Sequence, residues 1–229
     1  MRPRRLATLI LAGTLLFAGC SAGDLNILVL SARSPGDKCD FSDDTLYVSR
    51  GSVDMRPYVE GASTFVTTRY YQVFSWQNNI QPNPISVGGS VVDPGTGNTF
   101  IAETAVYEYQ YSDPSVTLTT ESANMNAVIT AGGEAKDNSV PTDLIQPQAA
   151  AAIQASTAID SSNQTLLVTF QLFGRLAAGG SKYTNKVTFP LTIYRSSITP
   201  LDCAAAGQVL NTGVCGVAGR DQPVSCSAP

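Results

Sequence analysis

The sequence contains no histidine in 229 residues. That absence excludes a histidine-based catalytic triad, a histidine–zinc centre and an imidazole pH switch. Charge is scarce as well: 14% of residues are charged, and 14 Lys+Arg stand against 18 Asp+Glu. No dense Lys/Arg cluster lies beyond the amino terminus, so neither a nucleic-acid surface nor a polybasic lipid patch is expected. No Ser-x-x-Lys motif is present. A serine nucleophile would therefore need one of Lys38, Lys136, Lys182 and Lys186 as its base. Lys182 and Lys186 fall on the polar face of a predicted strand, where water keeps an amine protonated. The glycines of Val87-Gly88-Gly89 do not open a helix, so a phosphate loop has no support. No repeat with a period of 20–50 residues is present, which excludes a solenoid or propeller. Catalysis is not expected, and no cofactor or metal is called for.

What is present begins with an address. Arg2, Arg4 and Arg5 precede an apolar run from Leu6 to Phe17, and small Ala18 and Gly19 then precede Cys20. This is the pattern of a secretory signal over 1–19. The run is shorter than the ~20 apolar residues that a bilayer span needs. Phe17-Ala18-Gly19-Cys20 resembles the lipobox of bacterial lipoproteins, with phenylalanine where leucine is usual. The resemblance implies a diacylglyceryl group on the Cys20 thiol, cleavage before Cys20 and acylation of the new amino terminus. Ser21 follows, and by the same resemblance a residue other than aspartate there implies delivery to the outer membrane. Several acyl chains on one residue make a lasting anchor, at ~0.8 kcal/mol per buried CH₂.

Cysteine arithmetic agrees. Cys20, Cys39, Cys203, Cys215 and Cys226 make an odd set of five, and lipidation of Cys20 leaves four for two disulfides. Four cysteines allow three pairings. Cys39–Cys203 with Cys215–Cys226 is favoured, because the one distant cysteine would then pin the start of the domain to its end. Cleavage removes three of the 14 basic residues and none of the 18 acidic ones, moving the net charge from −4 to −7.

With 43% hydrophobic residues the chain can build a core. Its body reads as mainly β, an antiparallel β-sandwich of the Ig-like kind. Residues 20–38 form the lipidated cysteine and a tether or first strand, since Leu25-Asn26-Ile27-Leu28-Val29-Leu30 is too apolar for a free linker. The sandwich is expected over 39–195 and a cysteine-bearing tail over 196–229. The clearest strand is Lys182 to Tyr194, where Val187, Phe189, Leu191 and Ile193 alternate with polar residues. Pro190 marks an edge or a bulge there. Leu166, Val168, Phe170 and Leu172 form the preceding arm of a long hairpin through Gly179-Gly180. Further strands are expected at Thr45 to Val53, Thr64 to Gln77, Thr99 to Tyr111 and Ser115 to Glu121. Shorter ones are expected near Ile85 to Val92 and Met125 to Thr130. The alanine-rich stretch from Pro147 to Ala155 reads as one short helix, with Thr142 or Asp143 able to cap an earlier start.

Three groups are candidates for binding. Tyr107, Tyr109 and Tyr111 share a strand side and would stack on sugar rings if exposed. The plainer reading places them with Ile101 and Ala105 on a half-buried face, hydroxyls at the rim. Tyr70, Phe74 and Trp76 are open to the same two readings. Asp37, Asp40, Asp43 and Asp44 form the densest acidic cluster. Their spacing is not that of a calcium-binding EF-hand loop, so a solvated turn is the better reading, as it is for Asp93 to Asn98.

Several pieces resemble a group of cysteine-bearing outer-envelope lipoproteins of Gram-negative bacteria. They are Gly51-Ser52-Val53-Asp54 after a first cysteine, Trp76-Gln77-Asn78-Asn79 ending a Tyr-rich strand, and a hairpin from Gly174 to Phe189-Pro190-Leu191. The fourth is a tail running from Cys215-Gly216-Val217 to Pro223-Val224-Ser225-Cys226. The resemblance implies the fold and the address but no activity or ligand. The expectation is a non-enzymatic protein held to the outer membrane through its lipid, partnered by another envelope protein or a polysaccharide.

Overall fold

The computed structural model of the chain describes residues 26–35, 47–80, 85–93, 98–133 and 137–229. In chain order the strands begin with β1 (Ile27–Arg33), β2 (Gly51–Asp54), β3 (Tyr58–Glu60), β4 (Ser63–Phe65) and β5 (Tyr71–Asn78). Next come β6 (Ile85–Val87), β7 (Ser90–Asp93), β8 (Phe100–Tyr111), β9 (Glu121–Ile129) and β10 (Ser139–Asp143). After helix α1 (Pro147–Ala155) follow β11 (Gln164–Leu176), β12 (Ser181–Tyr183), β13 (Val187–Tyr194), β14 (Val209–Leu210) and β15 (Cys226–Ser227). With 48% strand and 10% helix the class is mainly β, as the alternation predicts.

The long hairpin forms where its period-two pattern is cleanest. Gln164 pairs with Ile193 and Phe170 with Val187, in antiparallel register. This puts Leu166, Val168, Phe170 and Leu172 beside Phe189, Leu191 and Ile193 on one buried face. The strand expected over Lys182 to Tyr194 is broken at 184–186. Thr184 turns inward there, and its hydroxyl accepts the Leu172 N–H at 2.9 Å. Pro190 lies opposite Leu167, just before the stretch Leu191–Tyr194 that pairs with β2. Its missing N–H therefore falls where β13 has no second neighbour.

Two sheets enclose the core. One has six strands in the order β2-β13-β11-β8-β9, with β12 also on β11, and is curled as a half-barrel. The other has the order β1-β5-β10. An aromatic layer joins them: the Phe74 and Phe170 ring centroids are 4.8 Å apart, and Phe74 meets Phe189 edge-on at 5.9 Å. Trp76 is 6.3 Å from Phe170, on which Tyr107 stacks at 6.1 Å. Burying each such ring contributes roughly 1.5–3 kcal/mol. Among the described residues the named strands pair antiparallel with one exception, which corrects the expectation: β2 runs parallel to β13. Well over a hundred residues separate the two strands, so no tight turn dictates their direction.

Two predicted strands are also corrected. The stretch from Thr64 to Gln77 is divided, with β4 ending at Phe65 and β5 starting at Tyr71. Ser115 to Glu121 is not a strand until its last residue. Asp113 holds the Ser115 N–H at 3.0 Å and the Val116 N–H at 3.2 Å, so its turn uses the donors a ladder would need.

Pro147 occupies the first helical turn of α1, as expected, but neither Thr142 nor Asp143 caps it. The cap is tertiary. Glu121 of β9 accepts from the N–H of Gln148 at 3.1 Å and of Ala149 at 2.8 Å, placing a carboxylate on the positive end of the helix. Arg195 serves the other end, donating to the Gln154 carbonyl at 3.1 Å and pairing with Asp160 at 2.5 Å.

The tail is not a loose flap. Asp54, fully buried, accepts from Arg56 N, Ser196 N and Val224 N at 2.9–3.0 Å and from Ser196 Oγ at 2.6 Å. Every lone-pair direction of that carboxylate is thus used. Gly219, at φ +78°, lets the tail backbone reach the Asp54 carbonyl, where a Cβ would stand 2.5 Å away. The disulfide joins Cys203 to Cys226, which corrects the expected Cys39–Cys203 and Cys215–Cys226. The reason is local: β14 pairs Leu210 with Cys226, and the turn over Ala204–Ala206 folds Cys203 back to a Cα separation of 5.5 Å. Cys215 is also disulfide-bonded, and its partner lies outside the described residues.

Candidate functional site

Of the residues singled out from the sequence, Cys20, Cys39, Asp37, Asp40, Asp43 and Asp44 lie outside the described residues, as does the leader. Lys186 pairs with Glu108 at 2.6 Å on the exposed face of the sheet. Among the described residues, no three His, Cys, Asp or Glu side chains are grouped so as to hold a metal ion.

The tyrosine ladder faces inward. Tyr107 is 1% exposed, while Tyr109 and Tyr111 are half-buried against the core. The Tyr109 hydroxyl accepts the Gln146 N–H at 3.1 Å, tying the strand to the residue before α1. Burial raises the pKa of Tyr107 and Tyr109 well above that of a free tyrosine and brings Tyr111 up to about 12. Tyr107 so placed offers no open face for sugar stacking, and the half-buried Tyr109 and Tyr111 offer only part of theirs. Tyr70, Phe74 and Trp76 are buried as well.

The inward face departs from expectation at its start. Phe100 and Ala102 are buried, not Ile101, and the buried set then switches to Ala105 and Tyr107. Glu103 is an extra residue against β11, since Thr104 pairs with Phe173 and Ala102 with Gly174. The bulge shifts the phase by one. Gly174 sits at that point because a Cβ there would be 2.0 Å from the Ile101 carbonyl oxygen.

Beside the ladder a groove of about 470 Å³ runs between β9 and β10. Ala123 to Val128 form one wall and Ser139 to Pro141 the other, with Tyr107, Asp143 and Gln146 toward α1. A second recess of about 390 Å³ continues under α1 and shares Arg69, Asp143 and Gln146 with the first. Arg69 and Asp143 meet at 2.5 Å, and Asp143 also accepts the Tyr70 N–H at 3.2 Å. Burial nonetheless keeps the Asp143 carboxyl above the usual carboxylate range, with Arg69 pulling the other way. The pair leaves the groove without net charge. Its residues come from a loop, three strands and a helix start, so no sequence motif announces it. The one available cue was Asp143, a lone acid in an otherwise uncharged stretch.

What the groove can do follows from its walls. β9 ends the six-stranded sheet and β10 ends the three-stranded one, so two strand edges look onto the same space. Such edges recognise extended backbone through main-chain hydrogen bonds. No protein-family model, curated protein or solved structure matches the chain.

Proposed function

We propose that the chain is a lipid-anchored protein of the outer membrane, carried there by acylated Cys20, whose folded body binds another envelope protein without catalysis. The observation that supports the binding role is the groove between the β9 and β10 edges, with its single ion pair closed on itself. The anchor is supported by the Arg-rich, apolar leader ending in Phe17-Ala18-Gly19-Cys20. The reading keeps the body as a β-sandwich. The aromatic layer between the sheets supports this, while the parallel β2–β13 pair departs from the Ig-like plan.

The disulfides bear on the anchor. Cys203 and Cys226 use each other and Cys215 is bonded, so of the five cysteines only Cys20 and Cys39 remain as its partner. Pairing with Cys39 leaves Cys20 free to carry lipid.

Intact mass spectrometry of membrane-extracted protein, before and after reduction, tests the address. The expected species starts at Cys20, carries acyl mass and gains four hydrogens on reduction. Water-soluble, unacylated protein with Cys20 bridged to Cys215 would overturn the anchor. Crosslinking in intact cells that captures no envelope protein under any growth condition would overturn the binding role.

A further inference from the structure

The two large sheets end in four strands, of which the chain covers two and blunts a third with proline. The backbone of β1 is met by Asn185, which accepts the Val29 N–H at 2.8 Å and donates its own N–H to Ile27, and by Val48, which bonds Ala32. β2 is met by the tail, through Asp54 N to Gly219 O at 2.8 Å and through Ser52 and Asp221. β10 is five residues long with Pro141 at its centre, and a proline there removes a donor from the edge. β9 has nine residues and neither cover nor proline: among the described residues, the backbone of 122–128 bonds only to β8, in a ladder whose register shifts at Met125 and Asn126. A long, uncharged, uncovered edge is a template for another strand.

We propose that this edge pairs antiparallel with the β9 of a second copy of the chain, about a two-fold axis at Met125. Three observations select a copy over an unrelated strand. First, Ala123-Asn124-Met125-Asn126-Ala127 reads the same in both directions. A two-fold at its centre sets Asn124 against the partner's Asn126 and Ala123 against the partner's Ala127. Opposed asparagines hydrogen-bond across strands, and opposed alanines leave room for the backbones to approach. Second, exposure alternates without a break along β9, Ser122, Asn124, Asn126 and Val128 lying outward. Residues paired by the two-fold therefore share a face, as direct cross-strand neighbours must. Third, no charge stands between Ser122 and Ile129. Charges of one sign beside the axis would face each other across it and oppose self-pairing. The only acid of the strand, Glu121, is engaged at the start of α1 and would lie opposite the partner's Ile129. The inference rests on the binding role proposed for the β9 edge, names the partner as a second copy, and does not depend on the lipid anchor.

Sedimentation equilibrium of the full chain in density-matched detergent reads the self-association. The natural protein is expected to show a concentration-dependent doubling of mass. Asn124→Lys with Asn126→Lys sets lysine against lysine twice and should weaken association at least about tenfold. Asn124→Lys with Asn126→Glu sets lysine against the partner's glutamate and should restore it. Both positions are exposed, so neither variant disturbs the core, and the second controls for folding and micelle effects in the first. A natural protein that stays monomeric throughout, or two variants that associate alike, would overturn the proposal.

Discussion

The six-stranded sheet ends in two strands that the chain treats in opposite ways. At β2 the tail lies along the backbone, Asp54 and Asp221 take up its donors, and Gly219 allows the close approach. At β9 nothing from the described chain covers the backbone of 122–128, and Glu121 is engaged at the helix start. The difference separates two tasks. A short parallel strand such as β2 holds its place only because the tail and a buried carboxylate secure it. β9, paired with β8 on both sides of a register shift at Met125 and Asn126, is already ordered and can leave its outer side open.

Removing the closure at β2 should have the largest effect. Asp54→Ala removes the acceptor of three backbone N–H groups and of the Ser196 hydroxyl, and a loss of roughly 3–4 kcal/mol in urea unfolding is expected. The β9 end should keep its amide protection in hydrogen exchange. Cys203→Ser with Cys226→Ser opens a loop with a sequence separation of 23 and should cost about 3 kcal/mol. Limited proteolysis should then cut first in the tail, and cutting first in β9 would contradict the division of tasks.

Alkaline pH acts on both ends at once. Tyr70, hydrogen-bonded to Asp221 beneath the tail, and Tyr107 beside the groove both have pKa values raised from the ordinary 10, mainly by burial. The unfolded chain releases these protons near pH 10 while the folded chain holds them. Stability is therefore complete below pH 10 and falls above it, by about 1.4 kcal/mol per pH unit for each tyrosine. Tyr107→Phe should flatten the slope measured in denaturant titrations between pH 9.5 and 11.5. The smallest effect belongs to β9: Glu121→Ala removes the tertiary cap of α1 and should cost about 1 kcal/mol. A loss as large as that of Asp54→Ala would show that the two ends are not separable.

Much of the sheet was legible because burial imposes a period of two. β8, β11 and β13 follow the alternation of Phe170, Leu172, Phe189 and Leu191, and Pro147 announced the helix. The failures have local causes. The phase of β8 slipped at Glu103, since a bulge adds a residue without changing composition. The 115–121 stretch reads as strand only if the Asp113 turn is ignored. The groove was not legible, because Arg69, Tyr107, Met125 and Asp143 are brought together by sheet pairing and carry no shared spacing.

From the amino-acid order alone came the β class, the hairpin face, the helix and the expectation of an address at Cys20, because each depends on neighbours a few residues apart. Which cysteine meets Cys203, which strand runs parallel, and which edge stays open were decided by the tertiary structure. Those outcomes depend on where distant segments come to lie, and the tail reaches β2 only once Asp54 is buried beneath it.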